Sequence, residues 1–191
     1  MSEATTDGRK LKGERRKKEL IEATIRVVAR EGVAGVSHRA VAKEAGQPPT
    51  SAAYHFKTID DLLTAALTSC MDQDAERIRK LTEASGGGEQ GIRMLTEVTV
   101  AAVAETAHLQ AEFELYLLAA CRPELREPPR RWLDAIERFG RQYTDDPIRL
   151  RILAATIDGM LMQALVTGAP PSPEEWAEVL RTILLPAPAA H

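Results

Sequence analysis

The feature that most constrains this sequence is a glycine followed closely by a proline pair, set between two short stretches with helical spacing. Gly46 precedes Pro48 and Pro49 by two and three positions. Proline has no backbone N–H and is accepted only in the first turn of a helix, so Pro49 predicts the start of a new helix. Upstream, Ser37 predicts the N-cap of the helix that Gly46 ends. Two short helices joined by a tight turn form a helix-turn-helix.

Helical signals continue on both sides of this motif. Apolar residues recur at helical spacing over Lys10–Arg30, which predicts an amphipathic first helix ended by Gly32. Downstream of the motif, Thr58 predicts the N-cap of a fourth helix, whose first turn carries Asp60 and Asp61 at the positive end of the helix dipole.

The remainder of the chain is predicted to be helical too. Aromatic residues make up 4% of the sequence and β-branched runs are few, which favours helices over sheets. The predicted segments beyond the glycine-rich loop Ser85–Gly88 are Glu89–Ala107, Leu109–Cys121, Pro123–Tyr143, Asp146–Val166 and Pro173–Leu184. The fold class is therefore predicted to be all-α, with a three-helix head at residues 1–57 and a larger helical domain at 58–191.

Charge is distributed unevenly along the chain. Residues 1–57 carry a net charge of +5 and the rest carries −8. A basic head on an acidic body predicts that the head meets a polyanion, although charged blocks are also typical of solvated tails. The longest apolar run, Leu115–Cys121, is too short to span a bilayer, and the N-terminus lacks the apolar stretch of a signal peptide. We therefore expect a cytoplasmic protein without a membrane partner, with two reduced cysteines.

Patterns typical of an enzyme are missing from the sequence. No nucleophile stands with a positioned base, and the glycine-rich loop lacks the Lys-Ser/Thr ending of a phosphate-binding loop. The four histidines, His38, His55, His108 and His191, form no metal-ligand spacing. We expect neither catalysis nor a metal site nor a cofactor.

The segment VSHRAVAKEAGQPPTSAAYHFKTIDDLL, residues 36–63, resembles the DNA-binding head of the TetR family of repressors. Ala-Gly, Tyr-His-Phe and Thr-x-Asp-Asp-Leu occur in the order and spacing of that family. The resemblance implies a homodimeric regulator, most simply a repressor, that leaves operator DNA when a small molecule binds its C-terminal domain. One departure is Ile59, which stands where the family commonly has a phosphate-binding lysine; Lys57 is a candidate replacement.

The resemblance also implies which residues meet DNA. The recognition helix, Pro49–His55, would enter the major groove, with some residues near base edges and others on phosphates. The candidates are Ser37, His38, Arg39, Gln47, Pro48, Pro49, Thr50, Ser51, Tyr54, His55 and Lys57. Four further cations, Lys12, Arg15, Arg16 and Lys17, are expected in a disordered arm that reaches the DNA or only aids solubility.

One head of this size makes too few base contacts for specificity, so two heads must act together. The last two helices are the predicted dimer interface. Its candidates are Ile152, Ala155, Ile157, Gly159, Met160, Leu161 and Leu165 on one helix, and Trp176, Val179, Leu180, Ile183 and Leu184 on the next. The alternative is that both sets belong to an ordinary intrachain core.

If the head belongs to a repressor, the middle helices should enclose a ligand, with the fourth helix linking it to the head. The candidate ligand-binding residues are Glu97, Glu112, Phe113, Tyr116, Leu117, Trp132, Ile136, Phe139, Thr156 and Met160, with Glu114 and Asp158 as further polar anchors. Two alternatives remain open. A helical DNA-binding architectural protein would share the head but lack an inducer, and a helical interaction module would not bind duplex DNA at all.

Overall fold

The computed structural model describes the backbone of residues 3–185 and the side chains of residues 11–185. Within that range the chain forms nine α-helices and no strand, which confirms the all-α prediction. The helices are α1 Glu3–Glu31, α2 His38–Glu44, α3 Pro49–His55, α4 Ile59–Ser85, α5 Gly88–Ala104, α6 Thr106–Cys121, α7 Glu127–Gly140, α8 Pro147–Thr167 and α9 Pro173–Leu184. Two short 3₁₀ turns, Val33–Gly35 and Pro123–Leu125, precede α2 and α7.

Two predicted boundaries are wrong. The segment Pro123–Tyr143 is not one helix, because Pro128 and Pro129 are accepted only in the first turn and α7 therefore begins at Glu127. At the other end of the chain, α1 begins at Glu3, so the four cations between Lys12 and Lys17 lie on a helix and not on a disordered arm.

Local signals in the sequence set the ends of α2 and α4 as predicted. The Ser37 hydroxyl accepts a hydrogen bond from the Ala40 N–H at 3.1 Å, which caps α2. Thr58 and Asp61 cap α4 reciprocally, since each side chain accepts from the other's backbone N–H, at 2.9 and 3.0 Å. The Thr58 backbone N–H, and then its hydroxyl, hold the pKa of the Asp61 carboxyl below its usual value.

The chain divides into two compact units. The head unit contains the residues up to Cys70 together with Gln110–Leu125, and the body unit contains Met71–Leu109 together with the chain from Arg126 onward. The head unit thus includes the first part of α4 and most of α6, in addition to the three helices of the predicted DNA-binding domain. The domain boundary at residues 57/58 stays a prediction.

Each unit has its own apolar core. In the head unit, Leu20 and Val27 of α1, Val41 of α2 and Ala52 of α3 are completely buried. In the body unit, the fully buried large side chains include Phe139 of α7, Leu153 of α8, and Trp176 and Leu180 of α9.

Within the body unit, α7 and α8 approach closely at a glycine. A Cβ atom placed on Gly140 would lie 2.6 Å from Cδ2 of Leu150. Contact at that distance is repulsive. The two helices can pack this closely because residue 140 has no side chain.

Helix α8 has two apolar faces. By length and composition it is the one helix of the described region apolar enough to cross a membrane. Its core face, which includes Leu150, Leu153 and Ile157, is buried within the body unit. On the opposite side, Ile148 and Val166 are 62% and 78% exposed. The high hydropathy of α8 thus reflects one buried face plus a second face that its own unit does not cover.

Candidate DNA-binding interface

The turn between α2 and α3 positions the recognition helix. Gly46 adopts a positive φ of 63°, a left-handed conformation that favours glycine. Immediately after it, the Gln47 N–H donates to the Ala42 carbonyl at 2.9 Å, which closes the end of α2. Helix α3 then starts at Pro49 and buries one residue, Ala52, while Tyr54 is 84% exposed. The rest of α3 is therefore free to meet a partner.

The C-terminal end of α3 is fixed to α2. His38 donates a hydrogen bond from Nε2 to the Phe56 carbonyl at 2.9 Å, and the Phe56 ring is buried. The Phe56 N–H in turn donates to the Ala52 carbonyl at 2.8 Å. His38, predicted as a phosphate contact, is thus placed where it sets the orientation of α3.

Helix α2 is held against α1 by ion pairs. Glu44 accepts hydrogen bonds from Arg26 Nε at 2.8 Å and from Arg30 Nη1 at 2.9 Å. These bonds, that of Arg26 first, lower the pKa of the Glu44 carboxyl below its usual value. Because both arginines are engaged, they position the helix-turn-helix and do not add to its free positive charge.

Gln47, predicted to lie near base edges or flanking phosphates, forms three hydrogen bonds within the head unit. Its Nε2 donates to the Arg16 carbonyl at 3.1 Å and to Glu19 Oε2 at 2.9 Å. Its Oε1 accepts from the Ser51 hydroxyl at 2.6 Å. Gln47 and Ser51, both predicted DNA contacts, therefore bond to each other and, through Gln47, to α1.

A groove lies beside α3, and we call it the α1–α3 groove. Its volume is about 550 Å³, and its lining residues are Lys12, Gly13, Arg16, Pro48, Thr50, Ser51, Tyr54 and His55. Six of these eight residues, all except Gly13 and Pro48, carry a polar or charged side chain. A strand of nucleic acid is the kind of partner that such a groove suits.

Basic side chains near this groove have different environments. Arg15 pairs with Glu19 at 3.3 Å, and the Lys17 ammonium lies 5.6 Å from the centre of the Phe56 ring. Among residues 11–185, Lys12 and Arg16 form no ion pair. Partial burial lowers the pKa of His55, and the charges of Lys17 and Arg16 lower it further.

The other predicted DNA contacts lie on the surface of the head unit. Pro48, Pro49, Thr50, Arg39 and Lys57 are all exposed. Ile59 is partly buried and offers no charge, so the role of Lys57 as a substitute phosphate contact stays a prediction.

Two contacts within the head unit join residues that are far apart in the sequence, so no local sequence pattern predicts them. The carboxylate of Glu114 on α6 accepts a hydrogen bond from the Val33 N–H at 2.9 Å. Arg122, just past the end of α6, pairs with Asp60 in the first turn of α4. Glu114, considered above as a ligand anchor, therefore already serves as a partner for the 3₁₀ turn before α2.

The predicted ligand-binding residues are distributed over both units. Glu112, Phe113, Tyr116 and Leu117 belong to the head unit, and Glu97, Trp132, Ile136, Phe139, Thr156 and Met160 belong to the body unit. Trp132, Ile136 and Phe139 are buried together on one side of α7, whereas Leu117 is 57% exposed. Thr156 and Met160 lie one turn apart on α8 and are partly exposed.

An open groove in the body unit includes one predicted ligand residue. Its volume is about 450 Å³, and it is lined by Arg77, Lys80, Leu81, Ala84, Met94, Glu97, Val98, Ala101 and Glu105. The remaining candidates do not line this groove, and their role stays a prediction.

Asp158, on α8 of the body unit, has a carboxyl group whose pKa is far from its ordinary value. Burial raises the pKa of its carboxyl to about 6. Within the described part of the chain, no hydrogen bond or ion pair engages this carboxylate, so its charged form has no compensating partner there.

The predicted dimer residues separate into two groups. Ile157, Leu161, Trp176, Leu180 and Leu184 are buried inside the body unit, so this part of the prediction is corrected to intrachain core. The exposed face of α8 carries a stripe in which residues follow each other by alternating steps of four and three. The members of this α8 stripe are Ile148, Ile152, Ala155, Gly159, Met162 and Val166. This is the spacing with which two helices pack together. Of the stripe members, Ile152, Ala155 and Gly159 were predicted dimer residues, and the other three were not.

Clusters of three or more potential metal ligands do not occur between residues 3 and 185. His191 lies outside the described residues. Cys70 is buried, Cys121 is exposed, and neither forms a disulfide.

Comparison with known protein families gives two matches that together cover most of the chain. Residues 20–66 match the model "Bacterial regulatory proteins, tetR family". Residues 86–186 match the model "Tetracyclin repressor-like, C-terminal domain". A curated relative, the HTH-type transcriptional regulator PksA of Bacillus subtilis (strain 168), is 37% identical over 68 residues. This alignment spans 36% of the chain and 33% of PksA, so it covers about a third of that protein.

Solved structures resemble the chain over nearly its whole length. The multidrug binding protein EbrR in complex with imidazole is 36% identical, with a TM-score of 0.71, over 92% of this chain and 93% of EbrR. The EbrR complex with malachite green has a TM-score of 0.73 at 36% identity, over 90% and 98% of the two chains. A TetR-family protein from Streptomyces coelicolor A3 is 35% identical with a TM-score of 0.75, over 88% and 98%.

Proposed function

Because the chain belongs to the TetR family of bacterial transcriptional regulators, and is thus a DNA-binding regulator and not an enzyme, we propose that it is a ligand-released repressor. Two head units of a homodimer bind one operator in the cytoplasm. A small molecule bound in the C-terminal domain lowers the affinity for that operator.

The observation that carries this proposal is the exposed face of α3. This helix buries Ala52, is fixed at its end through Phe56, and presents Thr50 and Tyr54 to solvent. The groove beside it contains two cations, Lys12 and Arg16, that form no ion pair among residues 11–185. A rigid, exposed helix with flanking cations is suited to reading a major groove while positive charges hold the phosphates.

The α8 stripe supports the homodimer. Ile148, Ile152, Ala155 and Val166 are exposed and Met162 is partly exposed. A Cβ atom added to Gly159 would have no neighbouring atom within 4 Å in the described part of the chain. A glycine at the centre of such a stripe permits close approach of a second helix. Burial of this face between two copies also accounts for the high hydropathy of α8.

The choice of ligand class rests on the relatives. EbrR has been solved with ethidium, proflavin and malachite green, which are aromatic cations. Because this chain is 34% to 36% identical to EbrR in these structures, we propose that its inducer is a small aromatic molecule. The predicted ligand residues, including Trp132, Thr156 and Met160, are the candidates for contacting it.

DNA binding is tested by selecting duplexes from a random-sequence library with the full-length protein. We expect enrichment of a two-fold symmetric site, since two identical heads read two half-sites. On that site, Tyr54→Ala should lower affinity by roughly tenfold, as for loss of one contact near the bases. Arg39→Ala should weaken binding and flatten its salt dependence, whereas Arg93→Ala, at an exposed position of α5, should leave both unchanged.

Ligand release is tested with malachite green, because ethidium and proflavin themselves insert into duplex DNA. We expect the dye to bind the free dimer in calorimetry and to lower its affinity for the selected duplex. Dye binding with no change in DNA affinity would contradict the coupling. Failure of every aromatic compound to bind, with DNA binding intact, would favour an architectural protein without an inducer. Failure to enrich any duplex would remove the DNA-binding function itself.

A further inference from the structure

Two walls of different origin form the α1–α3 groove. One wall is the N-terminal part of α1, with Lys12 and Arg16, and the other is α3, with Thr50 and Tyr54. An α-helix positions its side chains well only if the helix itself is held in place. Among the described side chains of α1, none of residues 11–19 is buried and Leu20 is the first that is, so apolar packing does not fix the segment that carries Lys12 and Arg16.

Gln47 is the residue that joins these walls. It donates to the Arg16 carbonyl and the Glu19 carboxylate on α1, and it accepts from the Ser51 hydroxyl on α3. Both amide hydrogens and the carbonyl oxygen are thus engaged. The opposite orientation of the amide would place its oxygen against the Arg16 carbonyl and the Glu19 carboxylate, so the three bonds together define one orientation.

We propose that Gln47 is a positioning residue that sets the α1–α3 groove to receive a phosphodiester of the DNA backbone, with Lys12 and Arg16 as the contacting cations. This inference rests on the proposed DNA-binding function. Phosphate contacts fix the register of a protein on the duplex, whereas base contacts supply sequence information. By joining α1 to α3, Gln47 keeps the phosphate contacts of Lys12 and Arg16 in register with the base contacts that α3 makes in the major groove of the DNA.

An apolar side chain at position 47 would fill the same space and support α3 without tying α1 to it. Gln47→Leu therefore separates a positioning role from a packing role. The readout is the slope of log affinity against log salt concentration, because each phosphate contact contributes about 0.9 to that slope. A loss of stability alone reduces the amount of active protein and does not alter the slope.

The experiment uses the full-length dimer and the duplex selected above. We expect Lys12→Ala/Arg16→Ala to weaken binding by at least tenfold and to lower the slope by nearly 2 per head. Gln47→Leu should lower the slope in the same direction and weaken binding by several-fold. In the Lys12→Ala/Arg16→Ala background, Gln47→Leu should have little further effect. Gln90→Leu, at an exposed glutamine of α5, should match the wild type.

Two results would overturn the inference. One is a Gln47→Leu variant that binds more weakly with an unchanged slope, and the other is a full additional loss in the double-alanine background. If Gln47→Leu does not fold, Gln47→Met replaces it, since methionine has the length and flexibility of glutamine without its hydrogen bonds. Wild-type protein that enriches no duplex would refute the proposed function, whereas normal wild-type binding with either result above would refute this inference alone.

Discussion

The two compact units present their candidate functional residues in opposite ways. In the head unit, residues such as Thr50 and Tyr54 are exposed, and polar bonds from His38, Gln47 and Glu44 hold the helices that carry them. In the body unit, candidates such as Phe139 are buried in the apolar core. DNA binding by a preformed surface requires side chains that are fixed at their base and free at their tip. A residue whose whole side chain is buried contributes first to stability.

The sharpest test of this contrast is Phe139→Ala in the body unit. Phe139 is completely buried, so removal of its ring should destabilise the fold by roughly 3 to 5 kcal/mol through lost burial and a cavity. Urea denaturation measures the change, and Leu117→Ala, at a 57% exposed position, should change the free energy of unfolding by less than about 0.5 kcal/mol. A well-folded Phe139→Ala protein that has lost only dye binding would instead identify Phe139 as a ligand contact.

The exposed face of α8 gives the next largest effect. Gly159→Arg places a long charged side chain in the middle of the α8 stripe, where an added Cβ atom has no neighbouring atom within 4 Å in the described part of the chain. We expect a folded monomer in analytical ultracentrifugation and a loss of operator affinity on the order of a hundredfold, because the monomer lacks the contacts of the second head. Gln90→Arg on α5 is the matched control. A Gly159→Arg dimer of normal stability would show that the subunits meet elsewhere.

The features of the fold that sequence could predict were those decided by neighbouring residues. Ser37, Gly46 and Thr58 lie at helix ends because their side chains or backbone conformations act within a few positions. The misplaced start of α7 also has a local cause, since the pair Pro128–Pro129 marks a first turn that the helical periodicity obscured. On α8 the sequence predicted only part of the exposed stripe, because the predicted set combined Ile152, Ala155 and Gly159 with the buried Ile157 and Leu161.

Contacts between distant parts of the chain were not predictable in this way. Gln47 bonds to a backbone carbonyl 31 positions away, and Glu114 bonds to an N–H 81 positions away. Any exposed helix start can carry a glutamine, so residue type alone does not distinguish a DNA contact from a structural bond. The ligand-binding residues present the same difficulty on a larger scale. Which of them line a site depends on how several helices pack.

The next prediction concerns Asp158 of the body unit, whose carboxylate should lower the free energy of unfolding when it is charged. Its pKa rises from 3.8 to about 6 on folding, so the folded state binds the proton more tightly than the unfolded state. The protonated carboxyl therefore makes its full favourable contribution to the free energy of unfolding below pH 4. This contribution is lost as the pH rises towards 6. At pH 7.5, Asp158→Asn should stabilise the protein by about 2 kcal/mol, with a smaller gain at pH 4.5.

The control for this prediction is Asp145→Asn, because the Asp145 side chain is 96% exposed and its replacement should leave the melting temperature unchanged. Thermal denaturation at the two pH values makes the comparison. If Asp158→Asn destabilises the dimer at pH 7.5, the carboxylate is engaged by a group outside its own chain.

The smallest expected effect concerns His55, whose environment in the head unit opposes protonation. Partial burial lowers its pKa, and the positive charges of Lys17 and Arg16 lower it further, so the imidazole is neutral at pH 7.5. A DNA phosphate in the α1–α3 groove would offset those charges and favour the protonated ring, so binding would take up a proton. Operator affinity should therefore rise by a few-fold more between pH 7.5 and 6 for the wild type than for His55→Gln. Fluorescence anisotropy at constant ionic strength measures both proteins. Equal pH dependence in the two would show that His55 does not face the phosphate backbone, even if the rest of α3 does.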